Sequence, residues 1–363
     1  GVTKARQLEV GDIGAGAPEL RADSRYNQDN EKIIGSYSIG LDVLAVFVES
    51  PGGQEACLDP KVMRAIEAFD FEIRNVAGVQ SVQSVAGMAK AVIAGNNEGN
   101  PRWAAIPGAP RGLQQGSLAY SPDHGLVTEG CAHQQILVFL TDHEGATIFH
   151  VVNEAKRVIA EVSVPEARFK LAGGNVGVMA AANEAVKRAE VIMLAALFGS
   201  VALFCLLTFR SLRAVLCILV PLGIVAILCN ALMAMLGIGL KVATLPVMAL
   251  GVGVGVDYGI YLYERIQHEM AEGRDLRTAF YEAMCQRGTA AVFTAVTMSI
   301  GVCTWAFAPL KFQADMGVLL AFMFLVNVFG AILVLPALAA WFDQGRTLVR
   351  PRTWAARPSE ART

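Results

Sequence analysis

Hydrophobic and polar positions divide the chain into two unequal parts. Up to about Lys187 the apolar residues come in short runs among polar ones, whereas Val191 to Trp341 is nearly continuous apolar sequence broken by short polar pieces. A helix that crosses a membrane needs ~20 predominantly apolar residues. Five segments meet that test: Val191 to Phe209, Ala214 to Leu236, Val242 to Tyr263, Thr289 to Phe307 and Met316 to Leu338. A large soluble protein can bury helices as apolar as these, but five in succession with such short loops predict a transmembrane bundle over 188–342.

The first part, 1–187, reads as a strand, helix, strand unit that occurs twice. Leu41 to Val48 and Val79 to Val85 flank an amphipathic helix over Lys61 to Val76; Gln135 to Thr141 and Arg168 to Ala172 flank another over Thr147 to Val162. Two such units predict an α+β sandwich of the split βαβ, ferredoxin-like kind. Gly95 to Gly125, rich in Gly, Pro, Asn and Gln, is expected to be a loop region. Gly173-Gly174-Asn175 reads as a turn with a helix N-cap, ahead of an Ala-rich helix that runs from Val178 into the first span.

Composition agrees with a membrane protein: 54% of the 363 residues are hydrophobic and the mean hydropathy is +0.45. A net charge of −2 without a basic patch excludes nucleic acid as a partner. Orientation follows from the arginines. Arg210, Arg213, Arg265, Arg274, Arg277, Arg287 and those of a basic tail over 343–363 fall on one side, against Lys241 and Lys311 on the other. The rich side is expected to be cytoplasmic, which places the N-terminal domain in the periplasm or outside the cell. Nothing after Gly1 reads as a signal peptide, so an upstream span is expected to carry that domain across.

Cys205, Cys217, Cys229 and Cys303 lie in apolar runs and behave as small hydrophobes, while Cys57 and Cys131 can pair if their domain is extracytoplasmic. Metal and enzyme signals are absent: His143-Glu144 lacks the second His of a zincin helix, no Lys follows a Gly as a Walker A loop requires, and no G-x-S-x-G elbow occurs. No cofactor is expected.

The candidate chemistry is Asp257, the one acid well inside any of the five spans. An ionised carboxylate at a helix centre costs ~2.5–3.5 kcal/mol even on the lenient insertion scale. Holding a proton removes that cost, and alternate exposure to the two membrane faces would load and release it. The plainer alternative is helix glue. Gly251, Gly255 and Gly259 recur every fourth residue as a small face for close packing, with Asp257 pointing elsewhere. Thr294, Thr297, Gly301 and Thr304 form a stripe on the fourth span that either serves a carboxyl group or bonds its own backbone. Asn230 and Asn327 are further intramembrane amides.

VMALGVGVGVDYGIYLYERI, TAAVFTAVTMSIGVCTWAF and APLKFQADMGVLLAFMFLVNVFGAILVLPALAAWF closely resemble the last spans of the RND superfamily, in its MMPL-type exporter branch. That resemblance implies a bacterial inner-membrane protein of twelve spans in two homologous halves, periplasmic porter-like domains, proton antiport, and hydrophobic or lipid-like cargo. Asp257 and Tyr258 match the family's proton-relay pair, and the helix between Gln267 and Gln286 matches its cytoplasmic connector. The chain then corresponds to the C-terminal half, with the second relay acid in a missing N-terminal half, and a homo-oligomer is a possible assembly. Rival readings are an accessory subunit of the Sec translocation machinery and a sterol-sensing, receptor-like protein that does not pump.

Overall fold

The computed structural model describes residues 1–347 apart from 15, 38–39, 52–54 and 118–119. Among the described residues the N-terminal domain carries four strands, β1 (Val43–Glu49), β2 (Val79–Gln83), β3 (His133–Leu140) and β4 (Arg168–Gly173), in one sheet of order β2-β3-β1-β4. All three pairings are antiparallel. The two strands of each sequence unit are therefore parallel but separated by a strand of the other unit, so the units interlock.

A surface helix α1 (Arg25–Ser36) precedes the sheet; α2 (Pro60–Arg74) and α3 (Val85–Asn96) follow β1 and β2, and α4 (Gly145–Val162) follows β3. Helix α2 begins at Asp59, whose carboxylate accepts from Lys61 N, with Pro60 at the first helical position. It buries Ile66, Phe69 and Ile73 against Leu44, Val46, Val138 and Ile148. Truncating a fully buried residue such as Phe69 to alanine costs ~3–5 kcal/mol. The buried Asp70 ties α2 to the start of α3: it pairs with Arg74 at 2.6 Å and accepts from Ser84 Oγ at 2.6 Å, while Ser84 caps α3. The region expected as loop is partly helical, since α3 reaches Asn96 and a short helix over Pro110–Ser117 packs on it. A disulfide joins Cys57 to Cys131, linking the turn after β1 to the turn before β3.

The Gly173-Gly174-Asn175 segment is not a turn. β4 passes directly into α5 (Gly174–Phe209), and no side chain caps the helix. Gly174 has φ +78°, and a methyl group there would run into Val43 O. Asn175 instead fastens β1: its Oδ1 accepts from Val43 N at 2.7 Å, and its Nδ2 donates to Leu41 O and to Asp42 Oδ1 at 3.1 Å each.

Among the described residues helix α5 is the first of five helices long and apolar enough to cross a membrane, followed by α6 (Leu212–Leu236), α7 (Leu245–Ala271), α8 (Leu276–Phe307) and α9 (Lys311–Phe342). The connector expected between Gln267 and Gln286 is divided. α7 runs on to Ala271, and Leu276–Ala283 continues through a π-helical turn at Met284–Gly288 into the fourth span. Helices α6, α7 and α9 form the centre of the bundle, with 50%, 50% and 56% of their most apolar stretches buried, against 6% and 11% for α5 and α8. The basic tail expected after position 342 lies outside the described residues beyond Thr347.

The N-terminal segment lies across the bundle on the domain's side. Val10 bridges to Leu240 in the α6–α7 loop, and Leu20 to Leu310 in the α8–α9 loop. Arg21 donates to the carbonyls of Ala306 (2.9 Å) and Ala308 (2.9 and 3.2 Å), satisfying the C-terminal end of α8. Lys241 and Lys311 are thus on the domain's side of the bundle, as the loop pattern requires.

Candidate functional site in the third span

Helix α7 is amphipathic in an unusual sense: one face is small, the other carries the charge. Gly251 and Gly255 sit against Met323 and Asn327 of α9, and Gly259 against Ile218 of α6. With no side chain in the way, the helices approach closely enough for Asn327 Nδ2 to donate to Gly251 O at 2.8 Å. Asn327 is therefore held at the α7–α9 contact by a backbone carbonyl, away from the carboxylate stripe.

Asp257 lies on the opposite face, exposed, in line with Leu250 and Tyr261, which are each 54% exposed. Among the described residues no cation pairs with it and no hydrogen bond joins it to Tyr258. Neighbouring helical positions diverge by about 100°, and Tyr258 accordingly points into the bundle, where it is 4% exposed and packs with Ala295, Val328 and Ala331. Its hydroxyl is buried without a hydrogen-bond partner, and the residue lines a small cavity together with Tyr261, Arg287, Gly288 and Ala291. The π-helical turn of α8 forms one wall of that cavity.

Thr294, Thr297 and Thr304 are exposed along α8. Thr297 donates its hydroxyl to Phe293 O or Thr294 O (3.0 Å each), and Thr304 to Gly301 O at 2.7 Å, so these two satisfy their own backbone. Asn230 finds a partner in Glu190 of α5 at 3.5 Å. The structure thus brings together Asp257 with an exposed stripe, Tyr258 with the cavity, and Asn327 with the glycine face.

Two polar features escaped the sequence reading. Ser299 Oγ, buried, donates to Ala295 O at 2.6 Å and reaches Ala321 O of α9 at 3.3 Å. At the end of α7 remote from the domain, Glu269, with a side chain 1% exposed, is clasped by Arg265 at 2.5 Å and Arg274 at 2.6 Å. The i, i+4 spacing of Arg265 and Glu269 was the available signal.

Five apolar helices of spanning length and an α+β domain on one side of them define a multi-pass membrane protein. Residues 127–362, more than half of the sequence, match the MMPL family, and the chain belongs to that family. It is 24% identical to MJ1562 of Methanocaldococcus jannaschii over 90% of this chain and 86% of that protein. It is also similar to two proteins of Mycobacterium tuberculosis: MmpL9, 27% identical over 56% of this chain, and the sulfolipid-1 exporter MmpL8, 27% identical over 38% of it. These alignments span 22% of MmpL9 and 13% of MmpL8.

Proposed function

We propose that the chain is the C-terminal half of a proton-driven exporter of hydrophobic or lipid-like molecules, with Asp257 as its proton-carrying group. The observation that carries this reading is the position of Asp257: a carboxylate midway along α7, exposed on the bundle surface and, among the described residues, without a cation beside it. Acids at membrane depth face a bundle interior or a water-filled cavity, because lipid cannot solvate them. The stripe of Leu250, Asp257 and Tyr261 is therefore covered in the working transporter by a second bundle bearing the second acid, supplied by an N-terminal half or by another copy of the chain. Between two such acids a proton is held out of water and released when the bundles part.

Tyr258 belongs to the same relay as the neighbouring group, and it lines the cavity beside Arg287, toward the arginine-rich side. The rigid packing of α7 on α6 and α9 keeps Asp257 at fixed depth while its exposed face exchanges partners. No bond-making step is needed, which fits a transporter and not an enzyme. The interlocked strand order and helix placement support a ferredoxin-like, porter-like module in the periplasm, with the arginine side cytoplasmic. Similarity to a sulfolipid-1 exporter supports an amphiphilic cargo.

The test is Asp257→Asn in the complete transporter, reconstituted in vesicles under an imposed proton gradient. Folding and insertion should survive and proton-coupled export should stop, while Tyr258→Phe should be milder. Export at the parent rate by the Asn variant would reduce Asp257 to helix glue.

A further inference from the structure

Three backbones meet where the N-terminal strap crosses from the bundle to the domain. Gly11 N donates to Leu240 O and Leu240 N donates to Glu9 O, each at 2.9 Å, so the strap is bonded to the α6–α7 loop. On its other side Gly145 N, at the start of α4, donates to Asp12 O at 3.0 Å. A methyl group at Gly145 would collide with Val10 O, one at Gly239 with Gly11 O, and one at Gly11 with Gly145 Cα and the Asn183 amide of α5. Gly11 also has φ +105°, a conformation open to glycine. At this crossing the strap's main chain therefore lies directly against the main chain of the α6–α7 loop on one side and of the start of α4 on the other.

The charges nearest this crossing are buried or half-buried. Asp12 Oδ1 accepts from Lys241 Nζ at 3.0 Å, with the side chains 15% and 17% exposed. His143, two residues before Gly145 and 4% exposed, has Nδ1 3.1 Å from Asp42 Oδ2, while Asn175 holds the other Asp42 oxygen. Its Nε2 is buried without a partner. The carboxylates acting on the ring come from three places: Asp42 before β1, Asp12 in the strap and Asp142 in its own loop. Helix α5 contributes the neutral Asn175, and the α6–α7 loop contributes Lys241, already engaged by Asp12.

We propose that this glycine crossing is a second mechanical coupling between domain and membrane bundle, beside the continuous helix α5, and that the His143 imidazolium is the latch that holds the crossing closed. Charged His143 neutralises Asp42 and offsets Asp12 and Asp142, leaving Lys241 to hold Asp12. Neutral His143 leaves three carboxylates around one ammonium, and the strap loosens from α4. The hydrogen bond to Asp42, followed by the charges of Asp42, Asp12 and Asp142, raises the His143 pKa against the opposing effect of burial. A raised pKa in the latched state means that the histidine's contribution is complete below its ordinary value of ~6.5 and is lost as pH rises through the latched value. Each unit by which latching raises that pKa corresponds to about a tenfold change in the latched population.

The test is hydrogen–deuterium exchange on the full chain in lipid nanodiscs over a pH series, corrected for intrinsic exchange, reading the amides of Gly11, Leu240 and Gly145. Their exchange should rise several-fold from the acidic to the alkaline side of the His143 titration, while β1 and β3 stay protected. Asp42→Asn should move the midpoint to lower pH, which a merely structural histidine would not do, and His143→Gln should remove the pH dependence. Gly145→Ala should expose Gly11 and Leu240 at every pH. A flat profile in the parent, or an unchanged midpoint in Asp42→Asn, overturns the latch. Full protection in Gly145→Ala overturns the coupling. If His143→Gln does not fold, the Asp42→Asn midpoint decides alone.

Discussion

Replacing Gly255 by alanine adds one methyl group at a close approach of α7 and α9, directly against the Asn327 amide. Asn327 is 3% exposed and has a short side chain, so it cannot swing into solvent and must shift within a packed interface. Overpacking of this kind costs ~1–3 kcal/mol. Losing the Asn327–Gly251 hydrogen bond adds ~0.6 kcal/mol, and at most ~1.7. Alanine's better helix propensity returns up to ~1 kcal/mol. The net expectation is a loss of about 1–3 kcal/mol. Gly253 provides the control: two residues away on the same helix, an added methyl meets no atom within 4 Å. Gly253→Ala should be neutral, or stabilising by up to ~1 kcal/mol. Reversible unfolding of the purified protein in mixed micelles, titrated with a denaturing detergent and followed by circular dichroism, measures both. Combining Gly255→Ala with Asn327→Ala removes the collision, so the double variant should lose less than the sum of the single ones by at least ~0.5 kcal/mol. Equal stability of Gly255→Ala and Gly253→Ala would mean that the contact with Asn327 does not hold α7 against α9.

Removing the disulfide by Cys57→Ala with Cys131→Ala frees a link spanning 74 residues and should lower domain stability by ~2–4 kcal/mol, read as a lower midpoint in urea. Arg274→Ala should be tolerated because Arg265 still pairs with Glu269, whereas Arg265→Ala with Arg274→Ala strands a buried carboxylate and should cost ~3–5 kcal/mol in the micelle assay; additive effects would argue against a shared partner. A membrane-impermeant maleimide applied to intact cells should label a cysteine introduced at the exposed Trp103 but not the exposed native Cys285 beside the arginine-rich loops, and the reverse pattern would invert the proposed topology.

The spans were legible because lipid offers the backbone no partners and so enforces length and apolarity at once. Their ends were not. α5, expected as a helix from Val178 into the first span, begins four residues earlier, at Gly174, where β4 passes straight into it. α7 outlasts its apolar stretch because Glu269 finds two arginines there. The strand–helix alternation marked the sheet elements and suggested a split βαβ arrangement, but not the register, since pairing joins residues as far apart as Val46 and Leu171. Asp257 stood out as the single acid in an apolar run, while its direction depends on which face α6 and α9 claim. The strap was silent in the sequence: its bonds are main chain to main chain, and glycines reveal close approach only when the opposing backbone is known.

The helix α5 is 36 residues long without a break and follows β4 with no linker. At ~1.5 Å per residue it measures ~54 Å, and a bilayer's hydrocarbon core accounts for ~30 Å of that. Some ~24 Å therefore stands as a mast above the membrane, rooted among the spans and planted at its top in the sheet through Asn175. A rigid rod converts angle into distance: a tilt of ~10° at the root displaces the tip by ~4 Å, comparable to the spacing of two strands. Movement of the domain is then geared to movement of the spans, with α5 as the lever.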